Sequence, residues 1–382
     1  MIIILSERWP IKMWVKEIED GALAQARNLA NLPFVHGWVA IMPDAHQGFG
    51  MPIGGVVALK DHIIPNAVGV DIGCGVCAVK TTLQGIEMPM LKSILATIYR
   101  EIPRGFSHHK VRQDEKLMPS IKDFKQYKVV KDEYESALYQ LGTLGGGNHF
   151  IEIQKGSDEH IWIMIHSGSR NFGKKVADYY NKLAIKMHHH PEIPHSWQLA
   201  PLALNSSEGQ AYLGEMTYCV DFAYQNRRLM LERVKHIFSS FLTCSFHPMI
   251  NIAHNYASSE TFNGIRVMVH RKGATQARLG EIGIVPGSMG TASYIVEGLG
   301  NSESFNSCSH GAGRKMGRKE AIRSLNLKIE QAKMKHILGR PSTQEELEEA
   351  PGAYKDIDEV MECQKDLVRS LIRLEPLAVV KG

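Results

Sequence analysis

The sequence has no apolar run of the kind that crosses a membrane, since no window reaches the roughly 18 apolar residues that a transmembrane helix needs. Its first residues, MIIILSERWPIKMW, lack the basic n-region and the small-residue cleavage site of a secretory signal, so we expect no signal peptide. Only six cysteines occur, at irregular spacing, which favours reduced thiols over a disulfide framework. Together these absences predict a cytoplasmic protein.

An excess of charge of one sign is also missing. The chain has 44 basic and 40 acidic residues, and this net charge of +4 is too small to indicate a nucleic-acid-binding protein by itself. A local basic groove is still compatible with such a balance. The 382 residues contain no internal repeat, low-complexity tract or obvious linker, and 44% are hydrophobic, which is enough for a large buried core. We therefore expect one domain over residues 1–382.

Short apolar runs recur along the chain, and each is followed by a glycine-rich or polar turn. They are rich in Val and Ile and bounded by Gly or Pro, which is typical of buried strands, and they occupy residues 38–42, 67–70, 162–165, 266–269 and 282–285. Helical spacing predicts helices over residues 208–242, with Ser206 or Ser207 as N-cap, and over 311–325, 343–349 and 356–374. Residues 113–131 are charged and aperiodic and predict an exposed loop. This mixture indicates an α/β or α+β domain.

The glycine-rich turns are informative as a set. Glycine lets the backbone approach a ligand closely, and successive exposed N–H groups bind anions. One such turn is ordinary, but at least five carry a His, Asp, Cys, Arg or Lys. This pattern predicts loops that converge around one polyanionic ligand.

Five side chains in these turns form a candidate metal centre. Asp71 and Cys74 lie three residues apart in VGVDIGCGVC, while His149, His166 and His254 lie in GGGNHFIEI, WIMIHSGSR and INIAHNYAS. His and Cys ligands favour zinc by affinity, whereas carboxylate and phosphate oxygens suit manganese or magnesium, so these residues alone leave the metal open. A thiolate can also bridge two ions, and paired ions suit phosphoryl chemistry.

Each of these residues also has a plainer interpretation. Asp71 could cap a turn, Cys74 could be a small buried residue, and the histidines could belong to the core or to a strand flank. Cys77 has a strand-like apolar position, and we predict that it is a core residue. The run 188–190, three histidines at a helix end beside proline, is interpreted as solvated.

The segment FNSCSHGAGRKMGRKEAIR contains a candidate nucleophile. His310 precedes Gly-Ala-Gly at a predicted helix start, where the helix dipole and free N–H groups favour phosphate. A neutral imidazole there can attack phosphorus and form a phosphoramidate. Arg314 and Lys315 could stabilise the transition state, and Ser307 and Ser309 could orient the ring. The alternatives for His310 are a further metal ligand or a turn residue.

Three more segments fit a nucleotide site. The turn PGSMGTASY, residues 286–294, could wrap phosphate or base edges with backbone and hydroxyl groups. Asn148 and Glu152 flank His149, and a glutamate can accept two hydrogen bonds from the N1 and N2 edge of guanine. The string HRKGA adds Arg271 and Lys272. Each segment could equally be a solvated turn.

Nine strings of the sequence together resemble the RtcB family of RNA ligases. They run in the family order from about residue 38 to the end, and they are MPDAHQGFGMPIGG, VGVDIGCGV, GGGNHFIE, HSGSR, HNYA, HRKGA, PGSMGTASY, SHGAGR and VVKG. The resemblance implies an α+β fold with mixed β-sheets flanked by helices and an active site in glycine-rich loops at strand ends.

The resemblance also implies an activity. Such enzymes join an RNA 2′,3′-cyclic phosphate or 3′-phosphate end to a 5′-hydroxyl end, using GTP and two Mn²⁺ ions. His310 would be the catalytic residue that carries GMP covalently, and GMP would then pass to the RNA 3′-phosphate. Asp71, Cys74 and His149 would bind one ion; Cys74, His166 and His254 would bind the other.

By the same resemblance, a larger set would contact the nucleotide: Asn148, His149, Phe150, Ile151, Glu152, His254, Asn255, Pro286, Gly287, Ser288, Met289, Ser293, His310, Gly311, Ala312, Gly313 and Lys381. Arg170 would face RNA or triphosphate. Residues 106–131 and 188–190 match no family string, which leaves the RNA-docking surface open. The implied partners are GTP and RNA, either tRNA halves or broken RNA, with no membrane and a monomeric enzyme; the need for an activating protein is not indicated.

Two other functions compete with the ligase at this point. A metal-dependent phosphohydrolase or nuclease could use the same two-metal site without a nucleophilic histidine or a guanine pocket. A non-catalytic RNA- or nucleotide-binding protein would need neither. The presence of His310 beside a complete ligand set argues against the non-catalytic protein.

Overall fold

The computed structural model describes residues 1–120 and 127–382. The strands within these ranges are β1 (Ile2–Ile4), β2 (Ile11–Met13), β3 (Val35–His46), β4 (Ile53–Leu59), β5 (His62–Ile63), β6 (Gly75–Lys80), β7 (Phe150–Gly156), β8 (Ile161–Ser167), β9 (Leu202–Ala203), β10 (Ile250–Ala253), β11 (Asn255–Phe262), β12 (Ile265–Lys272), β13 (Ala274–Gln276), β14 (Ile282–Val285), β15 (Ser293–Gly298), β16 (Ser307–Ser309) and β17 (Val368–Lys381). The helices are α1 (Asp20–Ala30), α2 (Pro65–Val68), α3 (Met88–Glu101), α4 (Lys128–Gln140), α5 (Asn171–Met187), α6 (Ser207–Phe241), α7 (Arg318–Ser324), α8 (Leu327–Lys333) and α9 (Ile357–Cys363).

A six-stranded sheet has the order β1-β2-β3-β4-β12-β11 and is mixed, because β2 and β3 run parallel while its other pairs are antiparallel. Side chains alternate along a strand, so β3 presents Val39 and Ile41 to one face and Ala40 and Met42 to the other. The first pair packs in one core cluster with α1, and the second packs in another cluster with Phe305. Both faces of this sheet are therefore buried.

A seven-stranded antiparallel sheet has the order β10-β6-β8-β7-β17-β15-β14. In β8, Ile163 and Ile165 pack in one cluster with residues of α6, while Trp162 and Met164 pack in a different cluster on the opposite face. The continuous apolar run of β8 thus reflects burial on both faces. With the mixed sheet and the flanking helices, this confirms the predicted α+β class.

The long helix α6 confirms the prediction over residues 208–242. Ser206 caps it, because its Oγ accepts a hydrogen bond from the backbone N of Gly209 at 3.0 Å. Its buried face includes Tyr212, Met216 and Phe222 at helical spacing. The same face carries Asn226 and Arg227, so polar groups also enter the interior from this helix.

Two predicted elements near the site are wrong. Residues 67–70 are not a strand: α2 is a single helical turn that starts at Pro65, and Gly69, with φ +95°, ends it. Residues 311–325 are not one helix, because α7 begins only at Arg318, and Gly313, with φ +72°, belongs to the preceding loop. His310 therefore does not lie at a helix start.

The C-terminal region differs as well. The helix predicted over 356–374 ends at Cys363, and β17 starts at Val368 and lies between β7 and β15. The partners of this stretch decide its structure. Most of its apolar residues are buried in a strand because β7 and β15 pair with it on either side. Residues 343–349 form a short 3₁₀ helix, Glu345–Glu349, in place of an α-helix.

The remaining structural predictions have mixed outcomes. Part of the loop predicted over 113–131, residues 121–126, lies outside the described residues, and α4 already begins at Lys128. His188 is buried, with its Nε2 2.7 Å from the carbonyl of Ile193, so the prediction of a solvated run is wrong for this residue. Cys77 is a core residue of β6, and all six cysteines are free thiols, as predicted. In the part of the chain that is described, no helix has the length and apolarity to cross a bilayer.

Candidate active site

A cavity of about 910 Å³ is lined by loops from both large sheets. Its walls are the turn between β3 and β4, the turn between α2 and β6, the residues that lead into β7, the junction of β10 with β11, the turn after β14 and the loop after β16. The glycine-rich turns that the sequence analysis grouped therefore meet at one place.

Strand register brings four of the five candidate ligands together. In the antiparallel pairs, Val76 lies opposite His166, Phe150 also lies opposite His166, and Ala253 lies opposite Gly75. Residues adjacent to these positions are Cys74, His149 and His254, which places them around the same strand ends. The pairing of β10, β6, β8 and β7 thus assembles the site from segments that are distant in sequence.

The ligand atoms lie close enough to share ions. Cys74 Sγ is 3.2 Å from His166 Nε2 and 3.5 Å from His149 Nε2, and His149 Nε2 is 3.3 Å from Asp71 Oδ2. Two groups of three result, one of Asp71, Cys74 and His149 and the other of Cys74, His166 and His254, with ligand atoms within 4.8 Å of one another in each group. Cys74 is the member that both groups share.

Hydrogen bonds outside the cluster orient two of the imidazoles. His149 Nδ1 lies 3.0 Å from the carbonyl of Leu144, and His166 Nδ1 lies 3.2 Å from the carbonyl of Asn148. A ring whose Nδ1–H donates to a carbonyl has its lone pair on Nε2, directed here into the cluster. His254 Nδ1 is buried and has no hydrogen-bond partner among the described residues. An unsatisfied buried nitrogen beside a thiol and two oriented imidazoles fits a metal ligand.

Burial sets the protonation of this cluster. It lowers the pKa of His166 and His254 well below the usual range, so both rings are neutral and able to bind a cation. Burial, and next the charge of Asp71, raise the pKa of the Cys74 thiol. For Asp71 burial acts upward, but the hydrogen bond and charge of His149 outweigh it and hold the pKa of that carboxyl below its usual value. A cation would reverse the effect of burial on the thiol, because ligand thiols are deprotonated.

Asn226 tethers two of the ligand-bearing loops to α6. Its Oδ1 accepts from the backbone N of Gly142 at 2.7 Å and of Thr143 at 3.1 Å, and its Nδ2 donates to the carbonyl of Gly168 at 3.0 Å. Ser167 Oγ, which also accepts from this amide, donates to the carbonyl of Leu144 at 2.7 Å. That carbonyl is the one that orients His149, so a single side chain fixes the loops on both sides of the cluster.

Arg227 supports the remaining loop. Its Nη1 donates to the carbonyls of Gly73 and Ser167, both at 2.9 Å, and its Nε donates to Asn251 Oδ1 at 2.7 Å. The residue is 0% exposed. Gly73 precedes Cys74, and Ser167 follows His166, so this guanidinium links the two loops whose ligands lie closest together.

We expect Arg227→Met to weaken metal binding. Methionine fills much of the space but leaves the carbonyls of Gly73 and Ser167 without a donor, so the ligands lose their orientation, with a loss of about 10- to 100-fold in metal affinity. Titration with Mn²⁺ followed by electron paramagnetic resonance would measure this loss, and thermal melting would check folding. Arg228→Met is the matched control, because Arg228 is exposed on the same helix. Equal affinities for the two variants would contradict the tethering role.

His310 lies in the loop that follows β16 and lines the same cavity. Its ring centroid is 4.8 Å from that of His254. The carboxylate of Asp44, which is 0% exposed, accepts from both His310 Nδ1, at 2.6 Å, and His310 N, at 3.0 Å. The neutral ring therefore has its lone pair on Nε2.

The side chain that orients the His310 ring is Asp44, whereas the sequence analysis assigned this role to Ser307 and Ser309. Ser307 Oγ accepts from Arg271 Nε at 2.9 Å, and Ser309 Oγ accepts from Gln364 Nε2 at 2.7 Å, so neither hydroxyl is shown to orient the ring. The signal that could have indicated Asp44 is a carboxylate inside a buried strand, in the string MPDAHQGFGMPIGG.

The contact between Asp44 and the nucleophile loop depends on a glycine. A Cβ on Gly313 would lie 2.1 Å from the carbonyl oxygen of Asp44, and φ at this glycine is +72°. Lys355 Nζ donates to the carbonyls of Pro43 and Ala45, at 3.2 and 2.7 Å, and so holds β3 on both sides of Asp44. The carboxylate is therefore held in place by both neighbouring segments.

Several cationic side chains meet at Glu349, which the sequence analysis missed. Arg314 Nη1 lies 3.2 Å from its Oε1, Arg318 Nε lies 3.1 Å from the same atom, and Lys381 Nζ lies 3.9 Å from Oε2. All four residues line the cavity. Burial acts upward on the pKa of Glu349, but these cations outweigh it and hold the pKa below its usual value. Arg314, predicted to act on a phosphate, is thus already paired with a carboxylate, whereas Lys315 is exposed.

The predicted nucleotide contacts divide into two groups. Those that line the cavity are Asn148, His149, Phe150, His254, Asn255, Pro286, Gly287, Ser288, Met289, His310, Gly311, Ala312, Gly313 and Lys381. Ile151, Glu152 and Ser293 are buried and are not part of that lining. Gln154 Nε2 donates to Glu152 Oε2 at 2.7 Å and to Ser293 Oγ at 3.2 Å, and Ser293 Oγ accepts from the backbone N of Gly287. Burial raises the pKa of Glu152 to about 8.

The basic residues Lys272, Arg271 and Arg170 differ in whether they face the cavity. Lys272 lines the cavity, and its Nζ donates to the carbonyls of Phe49 and Asn66. Arg271 is buried away from it and pairs with Glu260. Arg170 donates to Thr143 Oγ1 and to the carbonyl of Gly105, so it braces a turn. Of the three, only Lys272 is positioned to face a ligand in the cavity.

Two three-residue groups that could hold metal ions and share a thiol, beside an oriented imidazole in a glycine-rich loop, fit the class of enzymes that act on phosphate groups. A family model described as tRNA-splicing ligase RtcB matches residues 25–382, and the chain belongs to this family. It is 38% identical over 405 residues to an RNA-splicing ligase RtcB of Escherichia coli (strain K12), covering 100% of this chain and 99% of that protein. It is 32% identical to a tRNA-splicing ligase RtcB of Thermococcus kodakarensis, covering 95% and 92%, and 33% identical to an RNA-splicing ligase RtcB homolog 1 of Entamoeba dispar, covering 96% and 84%.

Proposed function

We propose that this protein is an RNA ligase that joins 2′,3′-cyclic phosphate or 3′-phosphate ends to 5′-hydroxyl ends, using GTP, Mn²⁺ and a covalent His310–GMP intermediate. The observation that carries the proposal is the contact between His310 Nδ1 and buried Asp44 beside the two ligand groups that share Cys74. Relatives named RNA- and tRNA-splicing ligases support RNA as the substrate, either tRNA halves or broken RNA.

The Asp44–His310 pair suits nucleophilic catalysis. Asp44 accepts a hydrogen bond from Nδ1–H, so Nε2 is the nitrogen that attacks the α-phosphorus of GTP. An N–P bond forms while the bond to the bridging oxygen breaks, and pyrophosphate leaves with that electron pair. An oxygen of the RNA 3′-phosphate, which a 2′,3′-cyclic end yields once water has opened the ring, then displaces His310 from GMP. The 5′-hydroxyl next displaces GMP from the RNA and loses its proton to solvent. In the first step the ring becomes cationic, and the carboxylate of Asp44 stabilises that charge.

The ligand groups would hold the ions. Asp71, Cys74 and His149 would bind one, and Cys74, His166 and His254 the other. When bound, such ions polarise phosphate oxygens and stabilise the charge that develops on them. The set combines a soft thiolate with a hard carboxylate and leaves room for phosphate oxygens, which supports manganese in the presence of substrate.

Glu152 supports a guanine site behind the cavity wall. Its buried carboxyl has a pKa of about 8 and a single hydrogen-bond donor, Gln154, among the described residues. The N1 and N2 hydrogens of guanine would supply the missing donors and favour the ionised form. The turn that starts at Pro286 is joined to the same network, because Ser293 Oγ accepts from the backbone N of Gly287 at 3.1 Å.

The competing functions account for less of the site. A phosphohydrolase or nuclease on the same ions would have no use for the buried Asp44–His310 pair, and a non-catalytic binding protein would have no use for either feature. The predictions of one catalytic domain over residues 1–382, a monomer and a cytoplasmic location stay predictions.

We expect Asp44→Asn to slow RNA joining by about 10²- to 10⁴-fold, because a neutral amide cannot stabilise the positive charge that the ring gains and its NH₂ group, when turned to the ring, favours the other tautomer. The assay follows a labelled RNA with a 2′,3′-cyclic phosphate and a 5′-hydroxyl RNA in the presence of GTP and Mn²⁺. Asp61→Asn, at an exposed turn, is the control. Absence of a joined product with the unaltered protein would refute the proposed function.

A further inference from the structure

Two phenylalanines, one in the cavity lining and one next to a loop that lines it, are exposed to solvent. Phe49 is 69% exposed and lines the cavity, and Phe106 is fully exposed. Leaving such a side chain in water forgoes the favourable free energy that its burial would contribute. Exposed aromatic side chains beside a cavity therefore suggest a contact with a ligand.

Phe106 is presented by a tightly hydrogen-bonded turn. In residues 104–107, the N of Ser107 donates to the carbonyl of Arg104 at 3.0 Å, and Gly105 has φ +61°. The N of Gly105 donates to the carbonyl of Gly145 at 2.7 Å, and its own carbonyl accepts from Arg170 Nη2 at 3.0 Å. The backbone of this turn is thus fixed to the loop that leads into β7, so binding a flat ligand would require ordering of the side chain alone.

Phe49 is presented on the opposite sheet. It lies in the turn between β3 and β4, and its carbonyl accepts from Lys272 Nζ at 2.6 Å and from the N of Met51 at 2.8 Å. The turn that holds Phe106 contacts Gly145, next to the cavity-lining Gly146 in the loop that leads into β7 of the seven-stranded sheet. The two exposed phenylalanines therefore lie on or beside loops that come from different sheets.

The charge around Phe106 favours an anionic partner. Arg104, His108 and Lys110 are exposed, and residues 102–113 contain no acidic side chain. Aromatic rings among basic residues are typical of surfaces that bind single-stranded nucleic acid, where every base offers a π-face and stacking depends little on sequence. An apolar protein partner would gain nothing from these cations.

We propose that Phe49 and Phe106 are stacking platforms for the terminal nucleobases of the two RNA ends, one on each side of the cavity. This inference rests on the proposed RNA-joining function, in which two separate ends must be held at one site. It assigns a role to Phe106, the first residue of the range 106–131 that matches no family string. Because stacking tolerates any base, the site accepts ends of varied sequence.

The test uses RNA ends that carry 2-aminopurine at the terminal base, whose fluorescence is quenched by stacking. We expect Phe49→Ala and Phe106→Ala each to relieve the quenching at a different end and to weaken binding of that end by about 5- to 150-fold. Tryptophan at either position should retain both properties. The matched control is Leu279→Ala, since Leu279 is 80% exposed and is not part of the cavity lining.

The outcomes separate this inference from the proposed function. Joined product from the unaltered protein, together with RNA binding by both alanine variants equal to that of Leu279→Ala, would overturn the stacking platforms and leave the ligase intact. Failure of the unaltered protein to join RNA while Phe106→Ala still relieves quenching would instead contradict the ligase. Loss of binding in the alanine variants without any quenching in the unaltered protein would also overturn stacking, since it indicates a contact of another kind.

Discussion

His310→Ala leaves no covalent label on the chain after incubation with Mn²⁺ and α-labelled GTP, whereas the unaltered protein becomes labelled. The expected loss is to background, because alanine removes the only atom that we propose bonds to phosphorus, and a neighbouring residue does not replace it. His254, whose ring is 4.8 Å away, is directed to the ligand cluster by our assignment. The measurement is the label retained after denaturation.

The chemistry of the label makes this prediction specific. A phosphoramidate at histidine is labile in acid and stable in alkali, whereas a phosphate ester at a serine withstands acid. His108→Ala is the control, because His108 is exposed outside the cavity lining. An undiminished label on His310→Ala, or an acid-stable label on the unaltered protein, would contradict the proposed mechanism. Asp44→Asn should reduce the rate of labelling without abolishing it, since the nucleophile remains.

Local sequence placed the candidate ligands at strand ends, and strand register brings them together. Cys74, His149, His166 and His254 each lie within one residue of a strand end or in a strand, and antiparallel pairing then brings these positions together. The long helix α6 was predictable from its periodicity and from its Ser206 cap. These signals lie in local sequence, and the tertiary contacts of these elements agree with them.

The features that sequence missed depend on distant contacts. Asp44 and His310 are 266 residues apart, and neither neighbourhood indicates the other. The helix predicted after Gly311 fails because Gly313 packs against the Asp44 carbonyl and takes a left-handed conformation. Residues 368–374 have apolar spacing compatible with a helix, but they pair with β15, so the sheet decides their structure. In the same way, Asn226 and Arg227 have the appearance of surface residues until the loops around them are placed.

Cys74→Ala should weaken both metal sites at once. Sγ lies 3.2 Å from His166 Nε2 and 3.5 Å from His149 Nε2 and is a member of both ligand groups. Its removal leaves two protein ligands for each ion, so we expect the affinity for each to fall by at least about 10-fold. Mn²⁺ titration by electron paramagnetic resonance would count the ions and measure each affinity.

Matched variants make that result interpretable. Cys77→Ala removes a buried thiol three residues away that belongs to neither group. It should therefore lower stability through lost packing and leave both metal affinities unchanged. His254→Ala should weaken one site, because His254 belongs to a single group. Selective loss of one ion in Cys74→Ala would contradict the bridging role.

Proton release provides an independent check on the same residue. Because burial raises the pKa of the Cys74 thiol well above its usual value, the thiol is protonated at neutral pH until a metal binds, and binding must then release its proton. Metal affinity should accordingly rise with pH. Calorimetric titration in buffers of different ionisation enthalpy should count one proton fewer for Cys74→Ala than for Cys77→Ala. An equal proton count in both variants would show that Cys74 does not bind the ions as a thiolate.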